Sequence, residues 1–345
     1  GPISDEAVDL LWKSASFSVL PVFTVVGVVT NTLNLAVFSR LGLTNSVNIC
    51  FFALALSDVC CLTVFLFALV TSYTRRVFPN HFINFQDMNN VATWYYRMFY
   101  DISTVTTTYI AVQRGCCVAL PFHFRDFFTK ERVITGVIFI YVSGMACYVP
   151  VFATSLLLPA RDSQTNATQV RLVFSPGRDE IVAAVDILKK FALTFTCQFL
   201  ALLSLMAIVS GMKSASEFRQ ASSHTGCTRD GNVTFGGTNQ REVDQLHRTD
   251  TAPAVSKSQR KEKKIVRQVL LITTVFIVCN TPQMVASIVG RVVPGVDLFG
   301  HNRNVYFLTY TVVNVFELFN CSFNFFIYNK FNTKFKEIVD DALCN

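Results

Sequence analysis

Asp58, Arg97, Asp101, Arg114 and Glu317 stand inside long stretches that are otherwise apolar and almost uncharged. A charge in hydrocarbon costs a few kcal/mol on insertion scales, so each must face protein, water or an ion. Asn31, Ser103, Asn280, Asn320 and Asn324 fall at depths matching Asp58. Together they would form a buried hydrogen-bonded cluster able to hold a hard cation through oxygen ligands. The alternative is static interhelical glue of Asn and Ser. Metal chemistry of the softer kind has no support: no CxxC occurs, and the five His are scattered. Nothing resembles HExxH, GxSxG or a paired Asp motif, so the residues point away from an enzyme.

The elements that must carry these residues are membrane helices. The chain has 345 residues, 51% hydrophobic and only 15% charged, with mean hydropathy +0.41. Ordinary soluble domains carry roughly 25% charged residues. Apolar runs at 17–38, 133–158, 191–212 and 269–289 contain no ionisable residue, and 47–70 and 305–328 contain one each. These six read as spans. The run at about 91–120 is the most polar and is taken as the third, because seven spans place the basic segment 257–264 and the C-terminal tail on one side. The fold class is therefore all-α, a seven-transmembrane helix bundle. No internal repeat is visible, since Pro282 in span six has no counterpart in span three.

The larger share of the 30 Lys and Arg falls on the side of that basic segment. The positive-inside rule then puts the N-terminus outside and the tail in the cytosol. The formal charge of +7 is explained by a basic face beside anionic lipid, with no nucleic acid. Residues 1–14 read as an extracellular N-terminal segment, 15–329 as the membrane domain with a disordered third cytoplasmic loop at 213–261, and 330–345 as an amphipathic helix and tail. In that helix Phe331, Phe335, Ile338 and Val339 recur at helical spacing and are expected to lie on the inner leaflet. The first span is expected to act as its own insertion signal. All 11 Cys lie in spans or on the cytoplasmic side, so no extracellular disulfide is expected; Cys344 is a candidate for palmitoylation. Asn166 opens a glycosylation sequon in the loop after span four, whereas the sequon at Asn232 would be cytoplasmic and silent.

Pro282 removes a backbone hydrogen bond in span six and should bend it, leaving freed carbonyls to Asn280 or water. Arg114, at the inner end of span three, either snorkels or pairs with Glu262 at the start of span six.

At these residues the chain resembles a rhodopsin-like (class A) G-protein-coupled receptor, over all seven spans and the tail helix. Asn31 matches the family's span-one Asn. LALSD ending at Asp58 matches the LxxxD of span two, and QRG at Gln113 to Gly115, followed by Pro121, resembles DRY and its loop Pro. Phe276 with CNTP, ending at Pro282, resembles FxxCWxP. NFFIY, from Asn324 to Tyr328, resembles NPxxY. The departures are Gln113 for the acid, Gly115 for Tyr, Asn280 for Trp, Phe325 for Pro, Tyr141 near the usual span-four Trp, no Pro in span five, and neither cysteine of the usual extracellular disulfide. This pattern most resembles divergent invertebrate receptors, particularly molluscan chemosensory ones, with peptide receptors next.

The resemblance implies an extracellular small-molecule or peptide ligand, a heterotrimeric G protein as partner, a plasma-membrane location and no cofactor other than an allosteric sodium ion. Asp58, Ser103, Asn320 and Asn324 would form the sodium-responsive switch; Phe276 and Pro282 would transmit; Arg114 and Tyr328 would engage the opened state. Helical spacing puts Tyr96, Arg97, Tyr100 and Asp101 on one outer face of span three. Gln283, Ser287 and Arg291 continue outward from Pro282, and Asn314 and Glu317 lie on span seven. No acid stands at Tyr96, where amine receptors of the family place one, which disfavours a monoamine. Arg97 and Arg291 would hold a carboxylate by charge-assisted bonds, unless Arg97 pairs internally with Asp101 or Glu317. A transporter or channel is the competing class, and a neuropeptide receptor the competing member of the same fold.

Overall fold

The computed structural model describes residues 4–77, 84–119, 127–161, 168–226, 241–296 and 300–344, with the side chains at 76, 169, 215–226, 241–263, 343 and 344 outside it. Pro121, the acceptor Asn166 and the sequon at Asn232 therefore lie outside the described residues. So do the side chains of Glu262 and Cys344.

Seven long helices form the bundle. Span one runs Asp5–Ser14, a π-helical turn Ala15–Val19 and Leu20–Leu41. Spans two and three are Ser46–Val77 and Phe85–Ala119. Span four is Lys130–Ala146, continued by a short helix Val149–Ala153. Span five joins Arg178–Ile187, a π turn Leu188–Leu193 and Thr194–Gly226. Span six is Arg241–Val292 and span seven Arg303–Phe331, followed by the tail helix Thr333–Cys344.

Five of these are long and apolar enough to cross a membrane by length and composition alone; spans three and seven fall short. Their polarity is directed inward. Span three buries Thr104, Thr106, Thr107 and Thr108 and packs against spans two, four, five and six, while span seven buries Asn314, Glu317, Asn320 and Asn324. Surrounded by protein, such helices need no uniformly apolar surface. The outer helices show the converse: Phe139 on span four is 70% exposed and Phe199 on span five 61%, as a lipid-facing surface demands.

Close helix contacts depend on small residues. A Cβ on Gly115 would stand 3.2 Å from the Ser204 backbone of span five. Span five thus lies against the space where the family's Tyr would project. On span one, a Cβ at Gly27 would collide with Ser322 and Leu62.

Four expectations change. Residues 5–14 are helical and prolong span one, capped by Ser4, whose Oγ accepts from the Ala7 amide at 3.3 Å. Span four ends early: Ser155–Arg161 is strand β1, antiparallel to β2, Thr168–Phe174, in the register Ser155↔Phe174 to Arg161↔Thr168. An apolar run fixes no conformation, and here Pro159 and a matching β partner decide against helix. Thirdly, helical backbone extends to Gly226 and resumes at Arg241 within the loop expected to be disordered. Finally, the tail helix spends its apolar face on protein rather than on lipid alone. Phe335 is fully buried against Phe38 and Tyr328, with ring centroids 5.3 and 5.7 Å away, and Val339 is buried beside them.

None of the nine described cysteines is in a disulfide, so no such bond among them fastens the hairpin. Polar contacts do so instead. Arg178 donates to the Val151 carbonyl at 3.0 Å, to Thr154 Oγ1 at 3.3 Å and to Ser155 Oγ, with its guanidinium 4.2 Å from the Phe174 ring centroid. Asp87 of span three accepts the Leu172 amide of β2 at 2.9 Å.

Candidate functional site

Asp58 is fully buried at the centre of the bundle. Ser103 of span three donates to its Oδ1 at 2.6 Å, and the Asn324 amide of span seven donates to Oδ2 at 3.0 Å. Three spans thus meet on one carboxylate. Asn31 secures the neighbouring contact, donating to the Cys321 carbonyl of span seven at 2.7 Å and accepting from Asn34 at 3.0 Å. The Asn and Ser residues do act as interhelical glue, but around an acid. The expected companions Asn320 and Asn280 do not join. Asn320 is buried without a hydrogen bond to Asp58, and Asn280 belongs to another layer. For a cation, Asp58 and Ser103 present converging oxygens, whereas the Asn324 amide offers its donor side.

That second layer lies one to two turns toward the hairpin end. Tyr96 donates to Glu317 Oε2 at 2.5 Å, and Tyr100 donates to Asn280 Oδ1 at 3.2 Å, tying span three to spans seven and six. Asp101 accepts from Tyr148 at 2.6 Å and pairs with Lys189 at 3.2 Å, and the Lys189 ammonium sits 4.6 Å from the Tyr148 ring centroid. Tyr100 and Asp101 are therefore interhelical fasteners as well as pocket residues, whereas Tyr96, expected at the ligand, lines neither cavity and acts as a fastener alone. Arg97 pairs with neither Asp101 nor Glu317: no carboxylate lies within 4.0 Å of it among the described residues, and its guanidinium lies 5.7 Å from the Tyr310 ring centroid.

Above this layer a cavity of about 370 Å³ opens toward the hairpin end, walled by spans three, five, six and seven. Arg97, Gln283, Ser287 and Arg291 line it as spacing predicts. Asn314 is buried outside its lining. Glu317, Tyr100 and Asp101 line a smaller polar pocket of about 20 Å³, room for one water, which shares Arg97 and Gln283 with the larger cavity. Missing from the expected contacts are Asp186, Lys189, Lys190 and Phe191 of span five, and Tyr306 and Tyr310 of span seven. Continuing span five's helical period backward from Phe191 reaches Lys190 and Asp186. The π turn Leu188–Leu193, which rotates their faces, had no sequence signal.

Span six links the layers. Phe276 is buried against Cys197 and Ala201 of span five. The carbonyl released by Pro282 is that of Val278, four residues back. Asn280 donates instead to the Phe276 carbonyl at 2.9 Å, while Gln198 of span five donates to the Ile277 carbonyl at 3.0 Å. Tyr141, at the position near the family's Trp, joins span four to span two through the Ala53 carbonyl at 2.6 Å.

At the far end Gln113 is buried and its Oε1 accepts from the Cys50 thiol at 3.6 Å, with Nε2 unpartnered among the described residues. Arg114 is buried beside it. Tyr328 packs between Phe38 and Phe51, with centroids at 5.0 and 4.8 Å, and its hydroxyl finds no partner among the described residues.

Comparison with curated proteins finds no match. The model of the 7 transmembrane receptor (rhodopsin family), a family of receptors and not of enzymes, matches residues 30–328 and so takes in every layer from Asn31 to Tyr328. This multi-pass membrane protein, with its buried acid shared by three spans beneath an open cavity, belongs to the rhodopsin family of seven-transmembrane receptors.

Proposed function

We propose that the protein is a chemosensory G-protein-coupled receptor of the plasma membrane, with its N-terminus and hairpin outside and its tail helix in the cytosol. The observation that carries this reading is that one helix, span three, bears both a cavity residue and the contacts to the centre of the bundle. Arg97 at the cavity shares span three with Tyr100, bonded to Asn280 of span six, and with Ser103, bonded to Asp58. A ligand that moves span three or six must therefore disturb contacts to spans two and seven. In a two-state protein, a ligand shifts the equilibrium only by its difference in affinity for the two states. Occupancy of the cavity would bias the Tyr100–Asn280 contact, span six would turn about Pro282, and Phe276 would carry the movement inward. The opened inner end would expose Arg114 and Tyr328 to a helix of a heterotrimeric G protein. Sodium, held by Asp58 and Ser103, would favour the resting arrangement.

The test is a second-messenger assay in a reporter cell, screening amino acids, odorants and short peptides, with Arg114→Ala as the coupling control. Ligand-dependent signalling abolished by that variant is the expected result. Ion or substrate flux through the purified protein in liposomes, without G protein, would instead establish a transporter or channel.

A further inference from the structure

We propose that the cavity takes a dianionic organic molecule, with one anionic group held by Arg97 and the other by Arg291 and an apolar body between them. This rests on the reading of the cavity as the ligand site.

The charge arrangement divides the space into two parts. In the lower pocket Lys189 pairs with Asp101 at 3.2 Å and Lys190 with Asp186 at 2.8 Å, while Glu317 accepts the Tyr96 hydroxyl and is opposed in charge by Arg97 at longer range. The upper cavity is lined by Arg97, Lys190 and Arg291 against a single acid, Asp186, which Lys190 already occupies. Two guanidinium forks are left without an ion pair in this cavity, Arg291 and Arg97, the latter with Glu317 beyond 4.0 Å. Neither has a carboxylate within 4.0 Å among the described residues; each faces an aromatic ring, Arg97 that of Tyr310 at 5.7 Å and Arg291 that of Phe191 at 5.6 Å. Such rings orient a guanidinium without neutralising it, so its fork stays available to a carboxylate or phosphate.

The two cations arise from different spans, three and six, and the apolar lining of the cavity includes Ala286, Val296 and Val313. One compact anion would satisfy one arginine and leave the other charge in a part-apolar wall. A cationic ligand would pair with neither. Two anionic groups on an apolar spacer match both guanidinium forks and the lining.

Purified full-length receptor in detergent is titrated with α,ω-dicarboxylates from succinate to sebacate, an organic bisphosphate, matched monocarboxylates, α,ω-diamines and diols, with binding read by thermal shift. Dicarboxylates or the bisphosphate should stabilise the protein most, with an optimum chain length. R97Q and R291Q should each weaken that binding by roughly tenfold or more, as loss of a charge-assisted pair implies. R40Q, far from the cavity, should leave it unchanged. R97K and R291K, which keep the charge but lose the fork, should fall between and control for folding. Preference for diamines or diols, equal stabilisation by monocarboxylates, no response to any dianion, or R97Q and R291Q without effect would each overturn the proposal. Nucleotide exchange on added G protein is measured separately. Dianion binding lost in both arginine variants but without exchange on any G protein would uphold this proposal and defeat the receptor reading.

Discussion

At the scale of single residues, the fully buried carboxylate of Asp58 accepts from the Ser103 hydroxyl and the Asn324 amide, with the Cys321 thiol beside it. Ser103→Ala removes the hydroxyl donor from Oδ1 of a carboxylate closed to bulk water. Loss of a partner by a buried acceptor costs about 1–3 kcal/mol, more when it is charged. The variant should therefore melt measurably below the parent in detergent, while Ser103→Thr, which restores a hydroxyl, should recover most of the loss. Gln113 acts in the opposite sense. Its side chain meets Cys50 with a weak thiol contact and leaves an amide nitrogen unpartnered among the described residues, where the family places an acid beside the arginine. Gln113→Glu should strengthen the resting state; about 1 kcal/mol corresponds to roughly a fivefold fall in agonist-free signalling. Unchanged basal activity in the second-messenger assay would refute that role.

At the scale of elements, the β-hairpin and the contact of spans three and five rest on particular side chains. Arg178 joins the short helix after span four, the start of β1 and the Phe174 ring. Arg178→Ala should release the hairpin without unfolding the bundle. Hydrogen exchange at 156–160 should accelerate about a hundredfold, equivalent to roughly 3 kcal/mol of local stability, while the amides of span three keep their protection. The close approach at Gly115 predicts a different failure. A branched side chain, as in Gly115→Val, must displace the Ser204 backbone, and overpacking of this kind costs about 1–3 kcal/mol. Reduced yield of folded protein on size-exclusion chromatography would record it. The tail helix belongs to this scale too, because Phe335 completes the aromatic cluster around Tyr328 and so couples the end of span seven to spans one and two.

At the scale of the whole molecule, the layers share one axis, so a cation at Asp58 should stabilise the entire bundle by mass action. Replacing sodium chloride with N-methylglucamine chloride at constant ionic strength should lower the melting temperature of the parent, and Asp58→Asn should remove that difference. A difference that survives the substitution would place the ion elsewhere.

Six of the seven helices and the polar interior were legible from hydropathy, because hydrocarbon tolerates few backbone solutions and makes a buried charge conspicuous, while the third was read from the sidedness of the basic segments. Asp58, Ser103 and Asn324 were legible as partners because the span lengths fix their depth. Depth alone did not tell Asn280 or Asn320 from true neighbours of Asp58, since a helix face is set by rotation as well as by height. The π turn ahead of span five, the β-hairpin replacing the end of span four, and the pairing of Lys189 with Asp101 are long-range outcomes. They depend on which helix approaches which, and only the packed structure decides that. The same packing left Arg97 and Arg291 beside aromatic rings rather than acids. The order of residues along the chain holds carboxylates enough for both.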